Sequence, residues 1–436
     1  MHRTTGCARI EQVPSYDEFL MRYLMPNVPV IIGRALVEHW PAFTLWKKCP
    51  KSGTNPSALG ETSTSDIDWE YMSERFGSFT VSVADCSQVD DLGNQDREER
   101  PFSTVVSAWT SGDGPSLYVK DWHLARLVEH GHSGSFYTTP DLFRDDWMNA
   151  YYTSCTDDDF RFVYAGAKGT FTPLHRDVYT SYSWSTNVCG RKRWWLFPPE
   201  QTPFLLRKGR KGVPYDVRDV SADAFPDLHK TSPIVVDQNE GETIFVPSGW
   251  YHQVYTLASD SAFIEVTSSL EVENLTSCVS INHNWCNSVN LPSLYHSMCE
   301  KVVEVEHALE DVQELLSAAD PNGDTWKIEW MRIVQDVVKQ DAGWNWLTFW
   351  HMILHALKDS GEPGTVGKSQ SGSSDVDNTP NTFPLPPEWL RPSRSFIVQQ
   401  VRDCYDDFRT RDKNETEGEV GEVVASIGLL LDEAGN

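Results

Sequence analysis

Between Phe160 and Trp285 glycine and proline cut the chain into strand-length stretches, and this punctuation restricts the fold more than any other feature. Phe160-Arg-Phe-Val-Tyr164 opens the series. Tyr182-Ser-Trp-Ser-Thr-Asn-Val188 runs to Gly190, and Arg193-Trp-Trp-Leu-Phe197 stops at Pro198-Pro199. Glu242-Thr-Ile-Phe-Val246 turns through Pro247-Ser-Gly249 into a stretch from Trp250 to Leu257. Ser280-Ile-Asn-His-Asn-Trp285 closes the series. Such runs are short for helices, and repeated turn residues between them predict antiparallel strands in a β-sandwich or jelly roll.

The flanks read differently. Ser15-Tyr-Asp-Glu18 is a capping box that starts a helix, stopped by Pro26 and Pro29. Val30-Ile-Ile32 is a buried strand, Asp68 to Phe76 a helix, and Phe79 to Val83 an alternating strand. Acidic residues fill 87 to 100, which is expected to be a loop. Phe102 to Thr110 reads as a helix, Leu117 to Val119 as a strand, and Asp121 caps a further helix. After Asn290 apolar residues recur at helical spacing: Val302, Val305, Leu309, Val312 and Leu316 predict one helix from Leu294 to Ala319. Trp326 to Gln340, Trp344 to Leu357 and Ser395 to Phe408 follow. The expected fold is mainly β with flanking α. A double-stranded β-helix (jelly roll, cupin-like) core at 117–290 follows an N-terminal α/β region at 1–116. A helical region at 291–358, a Gly/Ser/Pro-rich linker at 359–384, and an accessory helix with an acidic tail at 385–436 complete it.

Charge and cysteines exclude several classes. The formal net charge is -26, so a general nucleic-acid binder is excluded, because phosphate contacts need a basic surface. Nine scattered cysteines without a Cys-x-x-Cys pair fit a reducing compartment, and no apolar run of membrane length occurs. The expected location is the cytoplasm or nucleus.

The chemistry concentrates in Gly169-Thr-Phe-Thr-Pro-Leu-His-Arg-Asp-Val178. His175 and Asp177 are separated by one residue, so an extended strand puts both on one face. An imidazole and a carboxylate on one face are two parts of a 2-His-1-carboxylate metal triad. His252, directly after Pro247-Ser-Gly-Trp-Tyr251, is the candidate third ligand. The other histidines lie in helical or polar stretches. His283 alternates with Asn282 and Asn284 and is expected to face away from them.

Thr172-Pro-Leu-His-Arg-Asp177, Trp184-Ser-Thr-Asn-Val-Cys-Gly-Arg-Lys-Arg-Trp194 and Phe197-Pro-Pro199 resemble the JmjC family of Fe(II)- and 2-oxoglutarate-dependent oxygenases. Gly241-Glu-Thr-Ile-Phe-Val-Pro-Ser-Gly-Trp-Tyr-His252 resembles it too, and the likeness covers about residues 10 to 350. Tyr118-Val-Lys-Asp-Trp-His-Leu124, Val188-Cys-Gly-Arg-Lys192 and Ile281-Asn-His-Asn-Trp-Cys-Asn287 are most similar to a branch that hydroxylates a lysine of a translation release factor.

The resemblance implies that His175, Asp177 and His252 hold Fe(II), and that 2-oxoglutarate and O2 are co-substrates. It implies that Lys192, Thr172 and Tyr118 meet the distal carboxylate of 2-oxoglutarate, with Asn282 and Asn284 near the co-substrate and the iron. Several relatives carry an asparagine on the strand of Trp184; Ser183 and Ser185 stand there in this chain. Residues 258–276 form an extra segment between His252 and the last strand. The resemblance implies a protein substrate, with the release factor first. It also admits a histone lysine demethylase, and the extra segment admits a non-catalytic cupin-like interaction module. The C-terminal helices offer a surface for a homodimer.

Overall fold

The computed structural model describes residues 6–48, 66–89, 95–131, 134–209, 212–257, 277–320, 323, 325–359, 386–411, 413–416 and 418–434. The extra segment at 258–276 falls outside these, as does nearly all of the 359–384 linker. The chain divides into two compact units.

The first unit comprises residues 1–140, 160–177 and 182–284 and holds the strands. They are β1 (Ala8–Ile10), β2 (Val30–Ile32), β3 (Thr80–Val89), β4 (Gln95–Pro101), β5 (Leu117–Trp122), β6 (Arg161–Gly166) and β7 (Phe171–His175). There follow β8 (Tyr182–Cys189), β9 (Arg191–Phe197), β10 (Ile234–Gln238), β11 (Thr243–Val246), β12 (Tyr251–Leu257) and β13 (Cys278–Trp285). One sheet has the order β1-β2-β11-β8-β13-β6-β5-β3-β4 and the other β10-β9-β12-β7. Apart from β1 and β2, the paired strands are antiparallel. Ile31, Ile244 and Val246 of the larger sheet pack with Trp194, Leu196 and Val254 of the smaller one. Each such side chain contributes about 1.5–3 kcal/mol by leaving water. This is the two-sheet jelly roll expected from the turn punctuation.

In this unit two local expectations change and one strand is added. Residues 95–101 are not loop but the strand β4, paired with β3 from Val89 to Thr80. Asp96 to Arg100 are exposed or half-buried and charged, so it carries no apolar alternation to read. Asp121 does not cap a helix; β5 continues through it, and the next helix begins at Leu124. Ile234-Val-Val-Asp-Gln238 is a further strand, held as the edge partner of β9.

The second unit, residues 141–159, 178–181 and 285–436, is helical. Trp346 and Trp350 pack on Phe408 with ring centroids 4.9 and 5.0 Å apart. The helix expected over Leu294–Ala319 is two, Leu291–Ala308 and Glu310–Ala319. Leu309 breaks it, with φ -113° and ψ 18°, and the second piece buries no side chain. In the C-terminal helix Gly418–Ala434, the apolar residues Val423, Ile427 and Leu431 are buried.

Candidate active site

His175 ends β7, and its cross-strand partner on β12 is His252. Pairing brings the imidazoles to a ring-centroid distance of 4.2 Å. Asp177 lies beyond the end of β7, so a turn through Arg176, rather than a shared strand face, delivers its carboxylate. Oδ1 lies 4.0 Å from His175 Nε2 and Oδ2 lies 3.9 Å from His252 Nε2. Two ligands bound to one ion at about 2.1 Å each are at most about 4.2 Å apart, so these spacings suit a shared cation.

The ring orientations are fixed from behind. His175 Nδ1 lies 2.9 Å from Pro173 O, and His252 Nδ1 lies 3.2 Å from Trp250 O. A carbonyl only accepts, so each Nδ1 is the protonated nitrogen and each Nε2 presents its lone pair inward. Desolvation, then the neighbouring His252, push the His175 pKa below the ordinary histidine range and favour this neutral form. Ser183 Oγ donates to Asp177 Oδ2 at 2.8 Å.

The same cavity holds a buried cation. Lys192 is 2% exposed, and Nζ donates to Ser280 Oγ at 2.5 Å. Burial lowers its pKa. Its neighbours on β9 face away: Arg193 forms a fork with Asp237, and Arg191 Nη2 lies 3.6 Å from the same carboxylate. Among the described residues this ammonium bonds to a hydroxyl alone, so it carries a desolvation penalty that an incoming carboxylate relieves.

Tyr118, Thr172, Asn282 and Asn284 also line this cavity. Burial raises the Tyr118 pKa, and the neighbouring Thr172 side chain opposes the shift. Asn282 Oδ1 accepts from Ser185 Oγ at 2.9 Å. Every residue expected at the site is therefore gathered around one space. His283 faces elsewhere, with Nε2 2.8 Å from the Tyr137 hydroxyl and the ring tilted against Trp184 at a centroid distance of 4.2 Å. Tyr182 is packing: its hydroxyl donates to Leu24 O. Tyr179 belongs to the helical unit, where it donates to Trp344 O at 3.0 Å. Sequence reasoning missed Tyr164, which lines the cavity and donates to Asp121 Oδ1 at 2.5 Å. The available signal was its place on β6, one strand over from Tyr118.

A model of the cupin-like domain matches residues 16–290. The mouse 2-oxoglutarate and iron-dependent oxygenase JMJD4 is 32% identical over 350 residues, 78% of this chain and 71% of the relative. The chain belongs to the cupin-like JmjC oxygenases. A fission yeast (Schizosaccharomyces pombe) JmjC domain-containing protein 1 is 32% identical, covering 82% of this chain and 84% of that one. An Arabidopsis thaliana arginine-specific demethylase, JMJ20, is 36% identical across 69% of this chain and 61% of its own length.

As a JmjC oxygenase the protein uses Fe(II) and 2-oxoglutarate, and the residues present fit both. Two neutral imidazoles and a carboxylate are the donor set of non-haem Fe(II) oxygenases, which leaves other positions open. The buried ammonium of Lys192 fits an acid with a second carboxylate. No described helix is long and apolar enough to cross a membrane.

Proposed function

We propose that this JmjC oxygenase hydroxylates a lysine side chain of a protein, with a translation release factor as first candidate. In this reading His175, Asp177 and His252 hold Fe(II). Lys192, Tyr118 and Thr172 receive the distal carboxylate of 2-oxoglutarate, and Asn282 and Asn284 border the co-substrate. The observation that carries it is one cavity containing both the three-donor set and an ammonium that, among the described residues, has no carboxylate partner.

When bound, iron and 2-oxoglutarate supply the oxidising power: O2 is reduced, the oxo acid leaves as succinate and CO2, and one oxygen atom enters a substrate C–H bond. The protein's part is placement. The carbonyls of Pro173 and Trp250 set the imidazole tautomers, and Ser183 steadies Asp177. Trp184 and Trp194 wall the space.

The JMJD4 relatives, 30% identical in human and 33% in zebrafish, are named 2-oxoglutarate and iron-dependent oxygenases, a class that includes hydroxylases. A second reading, protein demethylation, is favoured by the name of the plant relative, and a nematode relative is named for both activities. Both reactions begin by removing hydrogen from carbon, so the triad serves either. The net charge of -26 suits a basic protein segment, and the free cysteines suit a cytoplasmic or nuclear location. A homodimer through the C-terminal helices belongs to the same proposal, and sedimentation of the purified chain tests it.

The test incubates the protein with Fe(II), 2-oxoglutarate and release-factor or methylated histone peptides. A lysine that gains one oxygen atom supports hydroxylation; loss of a methyl group as formaldehyde replaces it with demethylation. His175→Ala should abolish succinate formation, and undiminished turnover would remove the site assignment.

A further inference from the structure

Lys120 is a second buried cation beside the cavity. It follows Tyr118 by two residues on β5, which puts it on the same strand face, and it is 5% exposed. Nζ donates to Gln95 Oε1 at 3.2 Å and lies 5.9 Å from the centre of the Tyr118 ring. Gln95 is itself pinned, donating to Phe171 O at 3.1 Å and to Cys86 Sγ at 3.3 Å. The adjacent carboxylate is taken: Asp121 Oδ2 accepts from Arg97 at 2.6 Å and Oδ1 from Tyr164 at 2.5 Å. Among the described residues Lys120 and Arg97 thus face the one carboxylate of Asp121, and Lys120 itself is hydrogen-bonded to an amide oxygen.

Keeping that charge is costly. Burial pushes the Lys120 pKa down to about 8, although Asp121 opposes the shift. A methionine of similar length would fill the space without the penalty. A positive field in a low-dielectric wall attracts an anion at a distance.

We propose that Lys120 is a positioning residue for the co-substrate: behind Tyr118, it adds a second positive charge to the field that holds dianionic 2-oxoglutarate, whose distal carboxylate meets Lys192. This rests on the co-substrate pocket proposed above. Lys120 acts through space and through the Tyr118 ring, without touching the co-substrate.

The sign of the effect separates this role from a structural one. Removing a positive charge loosens a dianion and tightens a divalent cation, whereas a damaged wall weakens both. The full chain, as wild type, Lys120→Met, Lys120→Gln and Lys120→Arg, is titrated with Mn(II) alone. It is then loaded with Fe(II) without oxygen and titrated with 2-oxoglutarate, read by the visible charge-transfer absorbance. Lys120→Met and Lys120→Gln should weaken 2-oxoglutarate about ten-fold while Mn(II) binds equally or more tightly. Lys120→Arg should stay within about two-fold of wild type. Gln95→Leu, which removes the hydrogen bond and keeps the charge, should also stay close, and it supplies the comparison if Lys120→Met does not fold. Parallel weakening of both ligands, unchanged 2-oxoglutarate affinity in Lys120→Gln, or a ten-fold loss in Gln95→Leu overturns the proposal. Failure of the wild type to bind 2-oxoglutarate overturns the pocket instead.

Discussion

Ser183 donates its hydroxyl hydrogen to Asp177 Oδ2 across 2.8 Å. That bond crosses from β8 to the turn after β7, and it orients the carboxylate of the three-donor set. Asp177 lies outside a strand, so no sheet ladder fixes it, and the serine takes over that task. Partners of this kind typically change metal affinity 10–100-fold, roughly, when removed. Ser183→Ala should therefore weaken Mn(II) or Fe(II) binding by about ten-fold or more, with little change in melting temperature. Metal titration followed by turnover checks it; wild-type affinity in the variant would leave Asp177 held by its backbone alone.

Lys192→Met should separate binding from stability in opposite directions. The ammonium is 2% exposed and bonded to Ser280, so the protein without co-substrate carries its full desolvation penalty. Methionine removes that penalty, at the loss of one hydrogen bond worth about 1 kcal/mol. The melting temperature without ligand should stay level or rise. Calorimetric binding of 2-oxoglutarate to the Mn(II)-loaded protein should fall by about 100-fold or more, the loss of a buried charge-assisted contact. A variant that melts well below wild type would show that Lys192 has a stabilising partner.

How far the sequence led depends on what each residue has to pair with. The jelly-roll strands were legible because Gly190, Pro198-Pro199 and Pro247-Ser-Gly249 punctuate apolar runs. β4 was not, because its exposed Asp96, Arg97, Glu98 and Glu99 answer to β3 rather than to a core. His175, Asp177, His252 and Lys192 could be placed from motif and resemblance. The bonds of Ser183 and Tyr164 could not, since each partner lies on another element and only the folded register brings them together. Asp121 carried a helix-cap signature, yet its φ of 53° and its bonds to Tyr164 and Arg97 belong to the end of a strand.

Gly190 is a point where backbone geometry and the site meet. Its φ is +82°, in the left-handed region, and an added Cβ would stand 2.6 Å from Ser277 O and 2.8 Å from Cys278 Cα. Both neighbours are backbone, so relief requires moving β13 or the β8–β9 turn. Gly190→Ala should cost at least about 1–3 kcal/mol from the strained conformation alone. Because Lys192 follows two residues later, co-substrate affinity should fall as well. Urea unfolding and 2-oxoglutarate titration of one preparation check both; a stable variant with weakened binding only would place the strain in the turn rather than in β13.

Asp145 should make the stability of the helical unit fall as pH rises. It is 1% exposed; Oδ1 accepts from Trp147 Nε1 at 3.2 Å, while Oδ2 has no hydrogen-bond partner among the described residues. Burial raises its pKa to about 7, against the weaker opposing pull of Trp147, Arg391 and Asn287. An unfolded aspartate titrates near about 3.9. Between these values the folded state binds the extra proton, so unfolding free energy decreases with pH across that window and levels off above it. The loss amounts to a few kcal/mol in order of magnitude. Asp145→Asn cannot ionise, so the difference between wild-type and variant stability should shift in the variant's favour from pH 5 to pH 8. Urea unfolding across that range measures it, and a difference that stays constant with pH would mean the folded protein carries Asp145 as a paired carboxylate throughout.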